Sequence, residues 1–402
     1  MYPLINPIFS QIAQGSLTIK EENDVHAFGS KGTGPEGGII VRDPKLYRNI
    51  LQYGSLGLGE SYMDGLWDAE RGDLVSVIGV LLMNHLSRAV PRSLRLAAKV
   101  LRLTPTGATD HDRSKRNIQS HYDIGNDFYA LFLDKNMGYT CGYQLHPDDT
   151  TEQMQDQKHD RVCRKLGLKP GERIVDLGCG FGGMLRYAAK HYGIEGIGCT
   201  LSEGQAAWAN QAIEADGLHD RIRVELKDYR DIEGTFDKVV SIGMAEHAWE
   251  NGYEKLMEKI ASLLPQGGIG LVHTIGSLED PSDQTDPWIS KYIFPGGRIP
   301  RLSELTGATN AANLTIAHIE NLKPHYAETL RLWREKFHGN RERILALSPR
   351  YNERFLRMWD YYLQSCEAAF RYSSLELYQM LFCKGERWTL PMQLDFGESE
   401  KR

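Results

Sequence analysis

The clearest pattern in the chain is an alternation of short apolar runs and longer amphipathic stretches between residues 170 and 275. Each apolar run has the length of a strand and is followed by turn residues, and the stretches between them have helical periodicity. The predicted strands span residues 173–177, 195–199, 222–226, 238–242 and 268–274. The predicted helices between them lie near 182–191, 203–216 and 252–264. This alternation predicts an α/β fold with a doubly wound, mostly parallel sheet, whose ligands bind beyond the carboxyl ends of the strands.

The residues before this segment show a different pattern. A glycine-rich stretch at 32–38 indicates a turn between short strands, and the pattern from 44 to 103 is mostly helical. We therefore expect a smaller, mainly helical N-terminal domain over residues 1–105, a polar linker over 106–120, and a second domain over 121–402 that contains the sheet. Near the C-terminus, helices are predicted at about 323–337 and 351–370, each with an apolar stripe typical of a core-facing side.

Composition restricts the class of protein and its partners. The 402 residues can form two or three domains, and a formal net charge of −6 argues against a general nucleic-acid binder, which needs a basic face. The N-terminus lacks the pattern of a signal peptide, and the six cysteines form no C-x-x-C pair. We therefore expect a cytoplasmic chain with neither a structural metal site nor a disulfide framework.

One segment of the chain departs from this average charge and hydropathy and adds a membrane surface to the candidate partners. Residues 74–83 are strongly apolar, and residues 92–116 contain seven Lys/Arg against two Asp. The apolar run is too short to span a bilayer, which takes roughly 20 apolar residues. An apolar helix followed by a basic segment suits the surface of an anionic membrane, and a buried helix followed by a solvated face would show the same pattern.

The turn after the first predicted strand has the spacing of a nucleotide-binding loop. Asp176 precedes Gly178, Gly180 and Gly182 in a G-x-G-x-G pattern, with Cys179 between the first two glycines. Glycines allow the backbone to approach a ligand closely, because a side chain would hold it away. A purely structural turn could also contain three glycines, so the other strand ends must support this interpretation.

Polar residues follow the next two predicted strands. Thr200, Ser202 and Gln205 follow the second, where they could bond the hydroxyl groups of a nucleotide, although a serine before a helix is commonly an N-cap. The third strand is followed by Asp228, Tyr229 and Arg230, which suit an adenine pocket and would also suit a surface turn.

The fourth and fifth predicted strands lead into Glu246 and His273. Taken alone, Glu246 could be a helix cap and His273 a core histidine. The ends of neighbouring parallel strands open onto one crevice, so the two residues together favour an active site.

Taken together, these segments resemble the cyclopropane-fatty-acid synthases, a family of class I, Rossmann-like S-adenosylmethionine-dependent methyltransferases. The segments that carry the resemblance begin at Leu56 (Leu-Gly-Leu-Gly-Glu-Ser-Tyr-Met-Asp-Gly), His121 (His-Tyr-Asp-Ile-Gly-Asn-Asp-Phe), Tyr139 (Tyr-Thr-Cys-Gly-Tyr), Val175 (Val-Asp-Leu-Gly-Cys-Gly-Phe-Gly), Gly198 (Gly-Cys-Thr-Leu-Ser), Gly243 (Gly-Met-Ala-Glu-His), His273 (His-Thr-Ile-Gly), Tyr292 (Tyr-Ile-Phe-Pro-Gly-Gly) and Tyr361 (Tyr-Tyr-Leu-Gln-Ser-Cys). They cover most of the chain in order.

The resemblance implies an enzyme that transfers a methyl group from S-adenosylmethionine to the double bond of phospholipid acyl chains at the inner membrane surface. In this family bound bicarbonate then removes a proton and the cyclopropane ring closes. The resemblance also implies a homodimer, with an N-terminal domain that binds lipid or dimerises and a catalytic domain over residues 121–402.

The same resemblance assigns residues to roles. The bicarbonate site would consist of Cys141, Glu246, His273, Ile275 and Tyr326, and Cys366 matches a cysteine suspected in the family of a catalytic role. The cofactor site would consist of Tyr139, Thr140, Asp176, Gly178, Cys179, Gly180, Gly182, Thr200, Leu201, Ser202, Gln205, Asp228, Tyr229 and Arg230. Cys366 also lies on an apolar helical stripe, which favours a core position.

Several positions depart from the family pattern and leave an alternative open. Thr140 stands where serine is usual, Gln144 and Ala245 stand where aromatic residues are common, and Tyr326 is followed by alanine instead of glycine. The alternative is a lipid C-methyltransferase that gives methyl-branched or methylated unsaturated chains without ring closure. A non-catalytic membrane-binding scaffold would predict decay of the glycine turn, Glu246 or His273, and all of these are retained.

Overall fold

The computed structural model describes residues 5–86, 124–247, 252–278, 286–386 and 388–391. The described residues form two compact units. The first unit comprises those within 1–107, 286–295 and 330–374, and the second those within 108–285, 296–329 and 375–402. This packing division differs from the division expected at residues 105 and 121, because two later segments pack with the N-terminal one. The basic segment 92–116 and the linker 106–120 lie outside the described residues.

The described part of the chain contains the following helices and strands. The strands are β1 (Ser16–Lys20), β2 (Val25–Gly29), β3 (Glu36–Val41), β4 (Trp67–Ala69), β5 (Arg173–Leu177), β6 (Glu195–Thr200), β7 (Ile222–Leu226), β8 (Lys238–Ile242), β9 (Ile269–Ser277), β10 (Leu314–Asn321) and β11 (Leu375–Lys384). The α-helices are α1 (Asn6–Phe9), α2 (Lys45–Tyr53), α3 (Ser55–Met63), α4 (Leu74–Met83), α5 (Asn126–Tyr129), α6 (Thr151–Leu166), α7 (Gly183–Tyr192), α8 (Glu203–Ala215), α9 (Gly252–Leu263), α10 (Pro287–Tyr292), α11 (Leu302–Ala311), α12 (Lys323–Gly339), α13 (Arg341–Leu347) and α14 (Glu353–Tyr372).

The first unit combines the predicted helices with a small sheet. Its strand order is β2-β1-β3-β4, in which β1 is parallel to β3 and the other pairs are antiparallel. The predicted turn at 32–38 connects β2 to β3, and the helical pattern predicted from residue 44 is confirmed as far as α4, apart from the short strand β4. Helices therefore dominate this region, as predicted, but they share it with four strands.

The apolar segment 74–83 is the helix α4, and most of its side chains are buried. Its N-cap is Asp73, whose carboxylate accepts a hydrogen bond from the Ser76 N–H at 2.9 Å. A Cβ atom at Gly79 would lie 2.5 Å from the Tyr372 ring, so the helix packs tightly on another helix of the same unit. Of the two alternatives for this segment, the structure shows the buried helix.

The second unit is built on a seven-stranded sheet of order β10-β11-β9-β8-β5-β6-β7. The five strands predicted from the sequence run parallel to one another from β9 to β7, whereas β11 is antiparallel to both of its neighbours. Ile174 packs in the core on one face of β5 and Val175 in the core on the other. Burial on both faces explains the continuous apolar runs. The doubly wound, mostly parallel sheet is confirmed.

Candidate functional site

The glycine turn leaves β5 with three left-handed backbone positions. The φ angles of Gly178, Gly180 and Gly182 are +79°, +54° and +73°, values that residues with a side chain rarely adopt. A Cβ atom on Gly178 would also lie 2.6 Å from the Met244 side chain. The turn therefore depends on glycine for its shape, and at Gly178 also for space.

Asp176 brings an incompletely paired carboxylate to this turn. It lies near the carboxyl end of β5 and is 2% exposed, and its Oδ1 atom is buried with no hydrogen-bond partner within the described residues. Burial raises the pKa of Asp176 to about 7, although the Lys158 ammonium acts in the opposite direction. Such an oxygen fits a ligand that carries hydrogen-bond donors.

The polar residues after β6 bond one another. Thr200 Oγ1 donates to Gln205 Oε1 at 2.7 Å, and Ser202 Oγ accepts from the Gln205 N–H at 3.3 Å. Ser202 is therefore the N-cap of α8, as its position before a helix suggested. Cys179 is joined to the same turn region, since its N–H donates to the Cys199 carbonyl at 2.9 Å, and Leu201 is partly buried there.

The residues after β7 form a local ion pair. The Arg230 guanidinium donates to both carboxylate oxygens of Asp228, at 2.8 and 2.6 Å. The Arg230 guanidinium also lies 5.8 Å from the centre of the Tyr229 ring. Asp228 is buried while Tyr229 is partly exposed, so this turn offers an aromatic face beside a neutralised carboxylate.

Glu246 follows one strand and His273 lies on the neighbouring strand, as predicted, but His273 is in the middle of the nine-residue strand β9 and not at its end. Strands β8 and β9 are parallel partners in which Ile242 is paired with His273, and Glu246 follows β8 in a short 3-10 turn. The Glu246 carboxylate reaches across to β9, where its Oε1 accepts from the Ile275 N–H at 2.7 Å. The Ile275 N–H thus helps to orient the carboxylate.

Each of these two side chains keeps one buried polar atom without a partner among the described residues. These atoms are Oε2 of Glu246 and Nε2 of His273. Burial raises the pKa of Glu246 to about 7, and burial together with the nearby Lys158 and Lys165 ammonium groups lowers the pKa of His273 to about 3. At neutral pH the imidazole is therefore uncharged, and a substantial fraction of Glu246 retains its proton.

Cys141 lies in a buried segment that is anchored by helix α6. Lys158 Nζ donates to Thr140 Oγ1 at 2.9 Å, and Gln155 Nε2 donates to the Thr140 carbonyl at 2.6 Å. The threonine hydroxyl thus makes a contact that the more usual serine could also make. Burial raises the pKa of the Cys141 thiol well above its ordinary value, so it is not a thiolate at neutral pH.

Tyr139 precedes Thr140 in this segment, and Tyr326 lies on a helix that is bonded to it. The centre of the Tyr139 ring lies 5.1 Å from the centre of the Tyr129 ring and 6.3 Å from that of the Phe132 ring. Tyr326 is in the first turns of α12, and two neighbouring residues hold these turns against the segment. The Gly142 N–H donates to Thr329 Oγ1 and the Gln144 N–H donates to His325 Nδ1, both at 3.0 Å.

Sequence reasoning missed Lys158, which the structure places among these residues. Its side chain is 2% exposed, and its charge influences the pKa values of Cys141, Asp176 and His273. Burial lowers the pKa of Lys158 itself to about 8. The available signal was a set of polar residues at helical spacing in α6, at positions 155, 158, 161 and 165, but this helix was not predicted.

Cys366 belongs to the first unit, whereas the other five residues assigned a catalytic role belong to the second. It lies in α14, where burial and the charge of Asp286 raise the pKa of its thiol to about 12. A thiol with this pKa is protonated at neutral pH and is a poor nucleophile.

This chain is similar to known proteins along most of its length. The sequence model of the family described as mycolic acid cyclopropane synthetase matches residues 109–380. Cyclopropane-fatty-acyl-phospholipid synthase of Escherichia coli K12 is 37% identical over 354 residues, which cover 86% of this chain and 88% of that protein. Tuberculostearic acid methyltransferase UfaA1 of Mycobacterium tuberculosis is 35% identical over 366 residues, covering 88% and 82%.

The structural comparison agrees with the sequence comparison. The crystal structure of mycolic acid cyclopropane synthase CmaA1, complexed with SAH and CTAB, is 32% identical to this chain and superposes with a TM-score of 0.63. The match covers 67% of this chain and 98% of that one.

Proposed function

The chain belongs to the mycolic acid cyclopropane synthetase family, and from this premise we propose that it closes cyclopropane rings on unsaturated acyl chains of membrane phospholipids. Its fold is that of the class I S-adenosylmethionine-dependent methyltransferases, and it is a methyltransferase. The observation that carries the proposal is the pair of buried atoms without partners in the described residues, Glu246 Oε2 just after β8 and His273 Nε2 within the neighbouring strand β9.

The residues around the glycine turn suit S-adenosylmethionine. The cofactor has an ammonium group and ribose hydroxyls that donate hydrogen bonds, and the incompletely paired carboxylate of Asp176 suits such a donor. The left-handed glycines let the backbone approach the cofactor, and Tyr139 and Thr140 lie in the segment that Lys158 anchors. We assign Thr200, Leu201, Ser202 and Gln205 to the middle of the cofactor and Asp228, Tyr229 and Arg230 to its adenine end.

The residues around Glu246 suit a small oxyanion with a proton, such as bicarbonate. S-Adenosylmethionine would supply the electrophilic methyl group when bound, and bicarbonate would supply the base that accepts a proton from the transferred carbon. The Ile275 N–H orients Glu246, whose raised pKa allows its Oε2 to donate a hydrogen bond. The neutral His273 offers a second polar atom, and we assign Cys141 and Tyr326 to the same site.

Methyl transfer to an alkene leaves a cation on the acyl chain, and its fate distinguishes two products. Loss of a proton from the transferred carbon closes the ring, whereas loss of another proton leaves a methyl substituent. The relative named tuberculostearic acid methyltransferase, 35% identical to this chain, keeps the second outcome as the alternative function. The intact set of residues around Glu246 favours ring closure.

The substrate surface and the assembly are part of the same proposal. Within the described residues no helix has both the length and the hydrophobicity needed to span a bilayer. We propose that the enzyme is cytoplasmic and acts as a homodimer at the inner membrane surface, with the N-terminal domain in lipid binding or dimerisation. The basic sequence at 92–116 and the phospholipid named for the Escherichia coli relative support this placement.

The test is the isotopic composition of the product lipid. Cells that express the chain are fed methyl-deuterated methionine, and their fatty acids are analysed by gas chromatography and mass spectrometry. Ring closure should give a chain one methylene heavier that keeps two deuterons and resists mild hydrogenation. Three retained deuterons would support the lipid C-methyltransferase instead, and no labelled lipid, as expected for Gly178→Val, would contradict both.

A further inference from the structure

The Gln379 side chain lies between a buried ammonium group and the imidazole of His273. Gln379 is the cross-strand partner of His273 on β11, and it is completely buried. Lys165 Nζ donates to Gln379 Oε1 at 2.6 Å. The Nε2 atom of the same amide lies 3.1 Å from His273 Nδ1.

This geometry determines where His273 carries its proton. An ammonium group can only donate hydrogen bonds, so the amide oxygen of Gln379 must face Lys165 and the amide NH₂ must face His273. His273 Nδ1 must then accept, and a neutral imidazole that accepts at Nδ1 carries its hydrogen on Nε2. The Nε2 atom is the buried one that has no partner in the described part of the chain.

An ion cluster holds Lys165 in place. Its ammonium is fully buried and contacts Glu320, whose carboxylate also binds the Arg161 guanidinium. Both cations hold the pKa of Glu320 down to about 2, so the carboxylate stays charged at neutral pH. Lys165 therefore has a fixed counter-ion on one side and a fixed acceptor on the other.

We propose that Lys165 and Gln379 are positioning residues that hold His273 as its Nε2–H tautomer, so that it donates a hydrogen bond to the oxyanion bound beside Glu246. The assignment of an oxyanion to this place rests on the proposed function. The Gln379 contact acts through His273, in the way that a partner of a metal-binding histidine sets its tautomer. The lowered pKa of His273 agrees with a neutral ring.

The direct test is the ¹⁵N NMR spectrum of enzyme labelled in its histidine rings, with the His273 signals identified by their loss in His273→Gln. In the wild type, Nδ1 should show the shift of an unprotonated nitrogen and Nε2 that of a protonated one. Gln379→Glu replaces the donor by a carboxylate acceptor, so the proton should move to Nδ1. A wild-type ring protonated at Nδ1, or an unchanged pattern in Gln379→Glu, would overturn the proposal.

Kinetics of the same variants give a second measurement. Gln379→Glu and Lys165→Met should lower kcat by about 10–100-fold and raise the bicarbonate concentration needed for half-maximal rate, with S-adenosylmethionine affinity changed less than about twofold. Lys165→Arg retains the donor and should restore most of the rate. Arg164→Met, an exposed change on the same helix, serves as the control with unchanged rate and tautomer.

Two outcomes separate failure of this proposal from failure of the proposed function. A reversed tautomer with unchanged kcat and bicarbonate dependence would show that His273 is not positioned for the reaction, and would overturn the positioning role alone. A wild-type enzyme whose rate does not depend on added bicarbonate would overturn the oxyanion site itself. If Gln379→Glu fails to fold, Lys165→Met tests the same contact, with a mixture of the two tautomers expected.

Discussion

Glu246 is a carboxyl group whose two oxygens lie in different surroundings. Oε1 is bound to the Ile275 N–H, and Oε2 is buried with no partner among the residues described. A carboxylate in this position is poorly solvated, which is why its pKa rises to about 7. Substitution of this residue should therefore change the rate of catalysis and the free energy of unfolding in opposite directions.

Glu246→Gln should be more stable than the wild type at alkaline pH and much less active. The folded pKa of Glu246 lies above its ordinary value of 4.5, so the unfolded chain ionises first and wild-type stability falls as pH rises from 4.5 to 7. Glutamine keeps the Ile275 contact without this loss. The free energies of unfolding should coincide near pH 4.5 and differ at pH 8 by on the order of 1–3 kcal/mol in favour of the variant.

Activity of the same variant tests the role of the proton. The amide cannot exchange a proton, so kcat should fall by about 100-fold or more while S-adenosylmethionine binding changes little. Steady-state assays measure kcat, and calorimetric titration measures the affinity for the cofactor. Chemical denaturation in bicarbonate-free buffer measures the free energies of unfolding compared above. A variant that loses rate and cofactor affinity in equal proportion would show that Glu246 belongs to the cofactor site instead.

Cys366→Ala should retain most of the wild-type kcat. The thiol has a pKa of about 12 and lies in a different compact unit from the remaining residues assigned to catalysis. Removal of its sulfur leaves a small cavity, so a loss of about 1 kcal/mol in the free energy of unfolding is expected. Steady-state rates of variant and wild type, measured below the melting temperature of both, test this prediction. A kcat reduced by about 100-fold or more would assign Cys366 a catalytic role.

Among the connections between helices and strands, the turn between β5 and α7 is the proposed cofactor site, and Gly178→Val should abolish cofactor binding. Valine is strained at a φ of +79°, and its Cβ would lie 2.6 Å from the Met244 side chain. The matched control is Gly171→Val, since Gly171 also has a φ of +79° but has nothing within 4 Å of its added Cβ. Both variants should lose a comparable backbone contribution, of about 1–2 kcal/mol.

Isothermal titration with S-adenosylmethionine separates the two glycine variants. Binding should disappear in Gly178→Val and persist in Gly171→Val, which precedes the amino end of β5, away from the turn. Normal binding by Gly178→Val would remove the glycine turn from the cofactor site. Loss of binding in both variants would indicate that backbone strain alone unfolds the sheet.

The strands and helices differ in how far they could be predicted from the sequence. The central strands were identifiable because burial on both faces makes each a short apolar run, and the edge strand β7 was identifiable from its alternation of buried and exposed residues. Strand β11 contains Glu376 and Gln379, which interrupt this pattern and are paired only through tertiary contacts, such as that of Glu376 with Lys323 at 3.2 Å. The placement of Glu246 and His273 on neighbouring strands or their connections followed from the predicted strands. Lys158 and Gln379, by contrast, lie on elements that the pattern did not reveal.

At the scale of the whole molecule, the proposed substrate is part of a membrane, so the enzyme must reach lipid from water. The apolar helix α4 is buried within the first unit and is not available as an anchor in the structure. The basic sequence between 92 and 116 therefore carries the proposed attraction to anionic lipid, at about 1 kcal/mol for each Lys or Arg near the surface.

Replacement of Arg92, Arg95 and Lys99 by glutamine should weaken binding to vesicles that contain phosphatidylglycerol. Three charges at about 1 kcal/mol each predict a loss in affinity of about 100-fold at low salt, and wild-type binding should itself weaken as salt is added. Vesicle sedimentation measures both effects. Turnover on vesicle lipid should fall in parallel, while turnover on detergent-dispersed lipid should remain close to that of the wild type.

The control removes three positive charges at exposed positions within the described residues. Lys45, Lys135 and Arg223 have side chains that are 68%, 68% and 66% exposed. Changing all three to glutamine lowers the net charge by the same amount. Vesicle binding should remain almost unchanged in this variant if the location of the charges, and not the net charge, determines the attraction. Equal weakening of vesicle binding in both triple variants would show that the net charge determines binding. A wild-type chain that does not bind anionic vesicles yet methylates dispersed lipid would contradict the proposed action at a membrane surface.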